Sequence, residues 1–411
     1  MADQHTRRGF IRGRTPLRRF ISLLLFVSCF IPAVASAQFL IEEVIDATGD
    51  GVGNTLASPP GIAVDASGNV FVTGLVGSNA FKITPGGTIT EIIDSTGDGS
   101  NSLQEAAGVA VDGLGNTYVV GQASNNVFKI TPGGTITQII DATGDGAGNI
   151  LDQPFAVAAD ATGNVYVVGQ TSQNAFEITS GGAVTEIIDA TGDGGGQTLS
   201  VPIGIAVDGA GSVFVTGRLS DNVFEISSGG AITEILDSTG DGGGNTLSQP
   251  SGIIADGSGN VYVAGQASNN AFRIASGGAI SQIIDGTGDG GASTLGDPTA
   301  VAFDSDGNVY IAASSTNNVF KVEPGGNITQ IIDAAGDGAG NSLSNAFDLA
   351  STPAGVVYVT GLFSSNAFRI APISRVPALG RAGLVLLLVL LTATVVVGVI
   401  GLRCADCSSN A

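Results

Sequence analysis

The chain repeats itself about every 48 residues, and this period constrains its fold more than any other feature. The clearest marker is an acidic motif, Asp-x-Thr-Gly-Asp-Gly, which follows two aliphatic residues in every copy and has Ala335 in place of the threonine in the last one. Its leading aspartate occurs seven times, at Asp46, Asp94, Asp141, Asp189, Asp237, Asp285 and Asp333. A fixed period of this length indicates an array of equivalent structural units.

Each unit contains four short apolar segments separated by turns rich in glycine, asparagine and aspartate. In the third unit these segments are residues 155–159, 165–168, 175–178 and 184–188. β-branched and aromatic residues favour strands, whereas clusters of glycine and asparagine favour turns. Four strands in about 48 residues are typical of one blade of a β-propeller.

The two ends of the array predict how the ring closes. The last unit ends at residues 367–370 without a fourth strand, and the first unit is preceded by residues 41–45, Ile-Glu-Glu-Val-Ile, which match that missing strand. Pairing the two ends would leave no open sheet edge inside the ring. The sequence therefore predicts an all-β, monomeric, seven-bladed propeller of four-stranded blades over residues 38–371.

Two positions of the third strand recur in every unit. We expect the phenylalanine to pack between blades, because strand alternation places it opposite a charged residue, and the asparagine to bond loop backbone. The phenylalanines are Phe81, Phe128, Phe176, Phe224, Phe272, Phe320 and Phe368, and the asparagines are Asn79, Asn126, Asn174, Asn222, Asn270, Asn318 and Asn366.

The first two strands of each unit resemble a known repeat. Gly61-Ile-Ala-Val-Asp65 followed by Gly68-Asn-Val-Phe-Val72 is similar to the NHL repeat and related bacterial propeller repeats, and the resemblance extends over residues 40–371. It implies a propeller fold. Because such propellers serve as enzymes, binding modules and scaffolds, it implies no single activity.

The N-terminal segment predicts export. Residues 1–37 contain a basic region ending in Arg18-Arg19, an apolar stretch over 20–31, and Ala35-Ser-Ala37 as a cleavage site. We interpret 1–37 as a signal peptide, with the mature chain beginning at Gln38; an uncleaved anchor is the alternative.

The C-terminal segment predicts a membrane helix. Residues 382–402 carry no charge and would form about 31 Å of helix, enough to cross a bilayer. They are followed by a short tail, 403–411, to which we assign no function. The linker 372–381 contains Val376-Pro-Ala-Leu-Gly380, which resembles the IPTL-type sorting signal of Gram-negative bacteria; that resemblance implies recognition by a membrane sorting enzyme. A plain anchor is the alternative, and both place the propeller outside the cytoplasm.

The composition excludes several classes of function. A formal charge of −21, which becomes −26 without the six arginines and one aspartate of residues 1–37, disfavours nucleic-acid binding. Residues 38–371 contain neither histidine nor cysteine, since these occur only as His5, Cys29, Cys404 and Cys407. This excludes Ser-His-Asp and Cys-His catalysis, zinc sites with such ligands, and disulfides.

The acidic linkers between units are candidate calcium loops. Oxygen-bearing residues at positions 1, 3, 5 and 9, with glycine at 6, resemble an EF-hand loop, although only the third unit has an acid at position 12. The alternative is ordinary turn chemistry. The candidate ligands are Asp46, Thr48, Asp50 and Asn54; Asp141, Thr143, Asp145, Asn149 and Asp152; Asp189, Thr191 and Asp193; and Asp237, Thr239, Asp241 and Asn245.

The near-identity of the units bears on function. A catalytic site needs a few unlike residues at one place, whereas copied blades supply rings of the same residue. The sequence therefore predicts a binding or structural module rather than an enzyme, with an unidentified protein or glycan partner on the face formed by the linkers between units and the loops that follow the second strands. The alternative is a calcium-dependent propeller hydrolase or lyase of the lactonase kind. Three departures from the repeat, Glu105, Arg218 and Asp221, are candidate marks of asymmetry on that face.

Overall fold

The computed structural model describes residues 39–373, and all of its regular elements are β-strands. None of its elements is a helix long and apolar enough to cross a membrane, as far as residues 39–373 are concerned. The predicted signal peptide (1–37), most of the linker with its sorting motif, the predicted membrane helix (382–402) and the tail lie outside the described residues.

The 28 strands form seven antiparallel sheets of four strands each, which we number as blades 1 to 7 from the first complete unit. The first strands are β2 (Ile62–Val64), β6 (Ala106–Val111), β10 (Pro154–Ala159), β14 (Pro202–Val207), β18 (Pro250–Ala255), β22 (Pro298–Phe303) and β26 (Ala346–Ser351). The second strands are β3 (Val70–Gly74), β7 (Thr117–Gly121), β11 (Val165–Gly169), β15 (Val213–Gly217), β19 (Val261–Gly265), β23 (Val309–Ala313) and β27 (Val357–Gly361).

The outer half of each blade follows the same order. The third strands are β4 (Asn79–Ile83), β8 (Asn126–Ile130), β12 (Asn174–Ile178), β16 (Asn222–Ile226), β20 (Asn270–Ile274), β24 (Asn318–Val322) and β28 (Asn366–Pro372). The fourth strands are β5 (Ile89–Ile93), β9 (Ile136–Ile140), β13 (Val184–Ile188), β17 (Ile232–Leu236), β21 (Ile280–Ile284), β25 (Ile328–Ile332) and, in blade 7, β1 (Phe39–Ile45).

The blades are arranged in a closed ring around a central channel. The first strand of each blade contacts the first strands of both neighbouring blades, and β2 completes the circle by contacting β6 on one side and β26 on the other. This confirms the predicted seven-bladed, all-β propeller of four-stranded blades.

The ring is closed by the N-terminal strand, as predicted. Strand β1 pairs antiparallel with β28, with Ile41 opposite Ile370. Polar contacts reinforce the pairing: the Arg369 guanidinium lies 3.0 Å from the Glu42 carboxylate, and Asn366 Nδ2 donates to Glu43 Oε1 at 2.8 Å. The two ends of the described chain are therefore joined within one sheet.

The hydrophobic core lies between neighbouring blades. All seven repeat phenylalanines are fully buried. Phe176 of blade 3, for example, packs in one cluster with Tyr118 of blade 2 and Val167 of its own blade. The following charged residues remain partly exposed, and the ammonium groups of Lys82 and Lys129 lie over the rings of Phe71 and Tyr118. The predicted interblade role of the phenylalanines is confirmed.

The repeat asparagines hold the linkers in place. In every blade the side-chain Nδ2 donates to a linker carbonyl 24 residues earlier in the chain, at 2.9–3.2 Å. These side chains are buried, so losing such a bond would leave a buried polar group without a partner. The prediction that they bond loop backbone is confirmed.

Candidate binding site at the mouth of the central channel

The long loops lie on one face of the propeller. In blade 4 the first residue of β14, Pro202, pairs with the last residue of β15, Gly217. The linker that enters β14 therefore lies beside the loop that follows β15. The same register occurs in blades 2, 3, 5, 6 and 7, so linkers and second loops share what we call the long-loop face.

The first half of each candidate calcium loop forms a tight Asx turn. Asp46 Oδ1 accepts hydrogen bonds from the backbone N–H and the hydroxyl of Thr48. The pairs Asp141 with Thr143, Asp189 with Thr191, and Asp237 with Thr239 repeat both bonds. Each of these carboxylates is thus bonded within its own turn.

The second aspartate organises the other half of the loop. Asp50 Oδ1 accepts from the backbone N–H groups of Val52 and Asn54, and Oδ2 accepts from Asn54 Nδ2 at 2.7 Å. Asp145 with Asn149 and Asp241 with Asn245 form the same contacts, and Asp193 accepts from Gly195 and Gln197. At the equivalent Asp98, backbone N–H groups of Ser100 and Asn101 lower the pKa to about 2.

The glycine at position 4 of the loop is required by the turn itself. Gly97 has φ = +63°, and a Cβ at this position would collide with the carbonyl oxygen of Asn101. Asp152, the position-12 acid, binds through its backbone to Thr171 and Ser172, apart from the Asp145–Asn149 pair. Within residues 39–373 no three His, Cys, Asp or Glu side chains are grouped to hold a metal. Calcium binding by these loops stays a prediction.

A further carboxylate lies beside each of several linkers. Burial raises the pKa of Glu91 on β5, and the nearby charges of Asp94 and Asp50 raise it as well, whereas Asn79 donates to it. Glu43, Glu186 and Glu234 are in equivalent positions with the same direction of shift. These glutamates are not among the ligands predicted from the linker sequences, because they belong to the fourth strand that precedes each linker.

Two of the three predicted marks of asymmetry have structural roles. Asp221 Oδ1 accepts from the backbone N–H of Gln249 and so joins blade 4 to the next linker, as Asn125 does for Gln153. Glu105 is exposed and donates its backbone N–H to Ser78. Neither residue is among those that line the central channel.

The central channel contains a cavity of about 460 Å³ lined by the first strands of all seven blades. Its lining residues are mainly aliphatic, with Ile62 and Ile203 among them, and polar backbone and side-chain atoms make up about half of its exposed surface. Phe155 of blade 3 and Phe347 of blade 7 meet edge to face across the channel, with ring centroids 6.4 Å apart. A cavity of this size, lined by aliphatic and aromatic side chains with a few polar groups, is typical of small-molecule sites.

Hydrogen bonds between blades use two of the polar side chains around this cavity. Ser251 Oγ donates to the carbonyl of Pro298, and Thr299 Oγ1 donates to that of Ala346. These hydroxyl groups connect blades 5 to 6 and 6 to 7. They are therefore committed to holding the ring together.

Arg218, the third mark of asymmetry, is different because it lines the cavity. It follows β15 at a position that is glutamine in three other blades, at Gln122, Gln170 and Gln266. Its Nε is buried and has no hydrogen-bond partner among the described residues. A buried donor without a partner is costly, so this N–H is available to an acceptor atom that enters the cavity.

Asp348 brings a carboxylate into the same cavity. Its Oδ2 accepts from the backbone N–H of Ile62 in blade 1, its Oδ1 accepts from that of Leu349, and each bond is 2.9 Å long. The residue keeps some contact with solvent through the channel, but protein surrounds its carboxyl group. This burial raises the pKa of Asp348 to about 6.

Sequence reasoning missed Asp348, although the repeat contains the signal. The equivalent residues of the other blades are glycine or alanine: Gly61, Gly108, Ala156, Gly204, Gly252 and Ala300. An acid at a position that otherwise tolerates only small residues is a departure as clear as that of Arg218. The two departures come together only because the ring places blades 4 and 7 around one channel.

The fold and this cavity define a β-propeller repeat protein with an asymmetric central channel. A family model described as a beta-propeller repeat matches residues 240–273 and 287–321, which fall in blades 5 and 6 and their linkers. A search of curated proteins gave no match.

Several solved structures share the fold. Virginiamycin B lyase from Staphylococcus aureus is 16% identical, with a TM-score of 0.63 over 82% of this chain and 100% of its own. Hydrazine synthase from Kuenenia stuttgartiensis is 15% identical, with a TM-score of 0.57 over 77% and 96%. YCF48 bound to the D1 peptide is 12% identical, with a TM-score of 0.55 over 83% and 99%.

At these identities the likeness shows a common fold alone. Because propellers of this fold include a lyase, the fold leaves catalysis open, and the expectation that the protein is not an enzyme stays a prediction.

Proposed function

We propose that the protein is an exported binding module that takes its ligand at the long-loop mouth of the central channel. One observation carries this proposal: Arg218 and Asp348, the two charged side chains that depart most clearly from the repeat, line the same 460 Å³ cavity. In the other six blades the residues equivalent to Arg218 and Asp348 are uncharged. Unlike polar groups converging on an apolar pocket are the usual mark of a binding site.

A screen by thermal unfolding tests the proposal. The purified propeller is melted with amino acids, short peptides, fatty acids and oligosaccharides, and at least one compound is expected to raise the melting temperature, since ligands that bind only the folded state stabilise it. The variant Ile203→Trp should abolish this effect by filling the channel; phenylalanine occupies the equivalent position in blades 3 and 7.

The matched control is Val52→Trp, which adds the same ring to an exposed linker residue outside the cavity. This variant should respond to the ligand as the unmodified protein does. Stabilisation that persists in Ile203→Trp would place the ligand elsewhere, and a screen without any stabilising compound would contradict the binding proposal.

The alternative is a hydrolase or lyase at the same channel. Asp348 favours it, because a carboxyl group with a pKa near neutrality can exchange protons under ordinary conditions. A calcium-dependent version needs several carboxylates on one ion, and within the described part of the channel lining Asp348 is the only acid. We therefore prefer binding to catalysis.

The location of the protein is part of the same proposal. The signal-peptide pattern of 1–37 and the uncharged segment 382–402 support export across the inner membrane, followed by anchoring or sorting to the surface of a Gram-negative cell. Fractionation combined with sequencing of the mature C-terminus distinguishes these fates. Loss of everything after about residue 376 would indicate sorting, retention would indicate an anchor, and a mature chain found in the cytoplasm would contradict export.

A further inference from the structure

The first step concerns the basic residues of the propeller. Residues 39–373 contain six, and five of them follow the repeat phenylalanine in a third strand, where they interact with neighbours. Lys321 pairs with Glu323, Arg369 pairs with Glu42, and Arg273 donates to Asn260. Lys82 and Lys129 lie over aromatic rings. Arg218 is the sixth, and within this part of the chain its side chain has neither a hydrogen bond nor an ion pair.

The second step concerns the acid of the cavity. Each oxygen of Asp348 accepts one backbone N–H, from Ile62 or from Leu349. An ionised carboxylate has about four acceptor positions, so these two bonds leave roughly two of them unused. Arg218 and Asp348 belong to blades three positions apart in the ring, so opposite charges reach the cavity from well-separated parts of its wall.

The third step concerns what lies between the two charges. The aliphatic side chains of Ile62 and Ile203 and the rings of Phe155 and Phe347 supply an apolar wall. A ligand that fits must therefore carry polar groups at its ends and an apolar body. The formal charge of −21 for the whole chain disfavours a simple anion, whereas a molecule without net charge escapes this repulsion.

We propose that the channel mouth binds a small amphipathic zwitterion, with its carboxylate at Arg218, its amino group at Asp348 and its apolar body against the channel wall. This inference rests on the proposed binding function and specifies its ligand class. Arg218 supplies the buried Nε–H together with its other guanidinium donors, an arrangement suited to carboxylate. Asp348 accepts from the amino group and balances its charge.

Titration calorimetry with three eight-carbon probes tests this ligand class. Aminooctanoate carries both charged ends, octanoate only the carboxylate and octylamine only the amine. Aminooctanoate is expected to bind the unmodified protein at least about tenfold more tightly than either single-ended probe, because each lost end removes a charge-assisted hydrogen bond.

Two variants test which residue binds which end of the probe. Arg218→Gln, which installs the residue found in three other blades, and Asp348→Asn, which retains an acceptor for Ile62, should each weaken aminooctanoate binding by about tenfold or more. Arg273→Gln, which removes an equal charge far along the third strand of blade 5, is the matched control and should leave the affinity unchanged.

Two results would overturn the inference: absence of aminooctanoate binding, or equal affinity in Arg218→Gln and the unmodified protein. Its failure is distinguishable from failure of the proposed function. A compound from the thermal screen that loses its effect in Ile203→Trp but keeps it in Arg218→Gln would leave the channel as the binding site while excluding the zwitterion class.

Discussion

At the scale of single residues, Asp348 links stability to pH. Its folded-state pKa of about 6 lies above the ordinary value of 3.8, because burial penalises the charged form. The folded protein therefore holds this proton more tightly than the unfolded chain does, and the contribution of Asp348 to the free energy of unfolding falls as the pH rises from about 4 to about 6.

Replacing Asp348 by asparagine should remove this dependence. We expect the free energy of unfolding of Asp348→Asn, relative to the unmodified protein, to increase between about pH 4 and about pH 6 and then to level off. Urea denaturation of both proteins at a series of pH values measures the difference. A difference that stays constant through this window would contradict the assignment of a buried, titrating carboxyl group.

A second residue-scale prediction concerns Asn79, whose Oδ1 is buried without a partner. In the other six blades a serine or threonine two residues earlier donates to this oxygen, for example Ser124 to Asn126 at 2.7 Å. Blade 1 has Gly77 instead. Gly77→Ser should stabilise the protein by about 1 kcal/mol once the Asn79 amide shifts to make room.

Chemical denaturation of Gly77→Ser and Gly77→Ala separates the hydrogen bond from the backbone effect. Alanine restricts the unfolded chain in a similar way but supplies no hydroxyl group. The serine variant should be the more stable of the two. Equal stability would show that the partnerless oxygen of Asn79 carries no measurable cost.

Residue roles were predictable from the sequence where they recur. The roles of the repeat phenylalanines and asparagines are predicted correctly because a residue that occurs at the same position in all seven copies is one that the fold requires. Arg218 was visible as a departure, but its position in the channel wall was not, because the channel exists only after distant units close into a ring. Asp348 lies beside Ile62, 286 positions away in the chain, so no local pattern could connect them.

At the scale of elements, strand β1 is the closure of the ring. Removing residues 39–45 would expose the backbone edge of β28 and uncover the cluster of blade 7, against which Phe39 and Ile41 pack. We expect a lower melting temperature and self-association, measured by calorimetry and light scattering.

Glu42→Gln is the control for this deletion, because it removes only an exposed ion pair with Arg369 and should cost less than about 1 kcal/mol. If the shortened chain were as stable and as monomeric as the full propeller, the closing role of β1 would be wrong.

The acidic linkers carry the second prediction at this scale. If the loops bind calcium, millimolar calcium should raise the melting temperature relative to chelator, and magnesium should raise it less, because calcium accepts irregular oxygen shells. Asp145→Asn should reduce the effect through the third loop. An unchanged melt would assign the loops to turn chemistry alone, which their internal Asx hydrogen bonds already serve.

At the scale of the whole molecule, the repeat count predicted seven blades and their closure because propeller geometry follows directly from the number and order of strands. The site followed less directly. The near-identity of the blades argues against a group of unlike catalytic residues. Closure of the ring nevertheless brings Arg218 and Asp348, which each differ from the residues at equivalent positions, to the wall of one cavity. In such an array, the residues that differ from the repeat are the best indicators of a binding site.

Hydrogen–deuterium exchange on the mature protein with the strongest compound from the thermal screen tests this account most directly. Binding at the channel mouth predicts slower exchange in the segment after β15 and in the first strands β10, β14 and β26, whose residues line the cavity. The outer strands should exchange as before. Protection confined to the fourth strands or to the acidic linkers would contradict a ligand site at the mouth of the central channel.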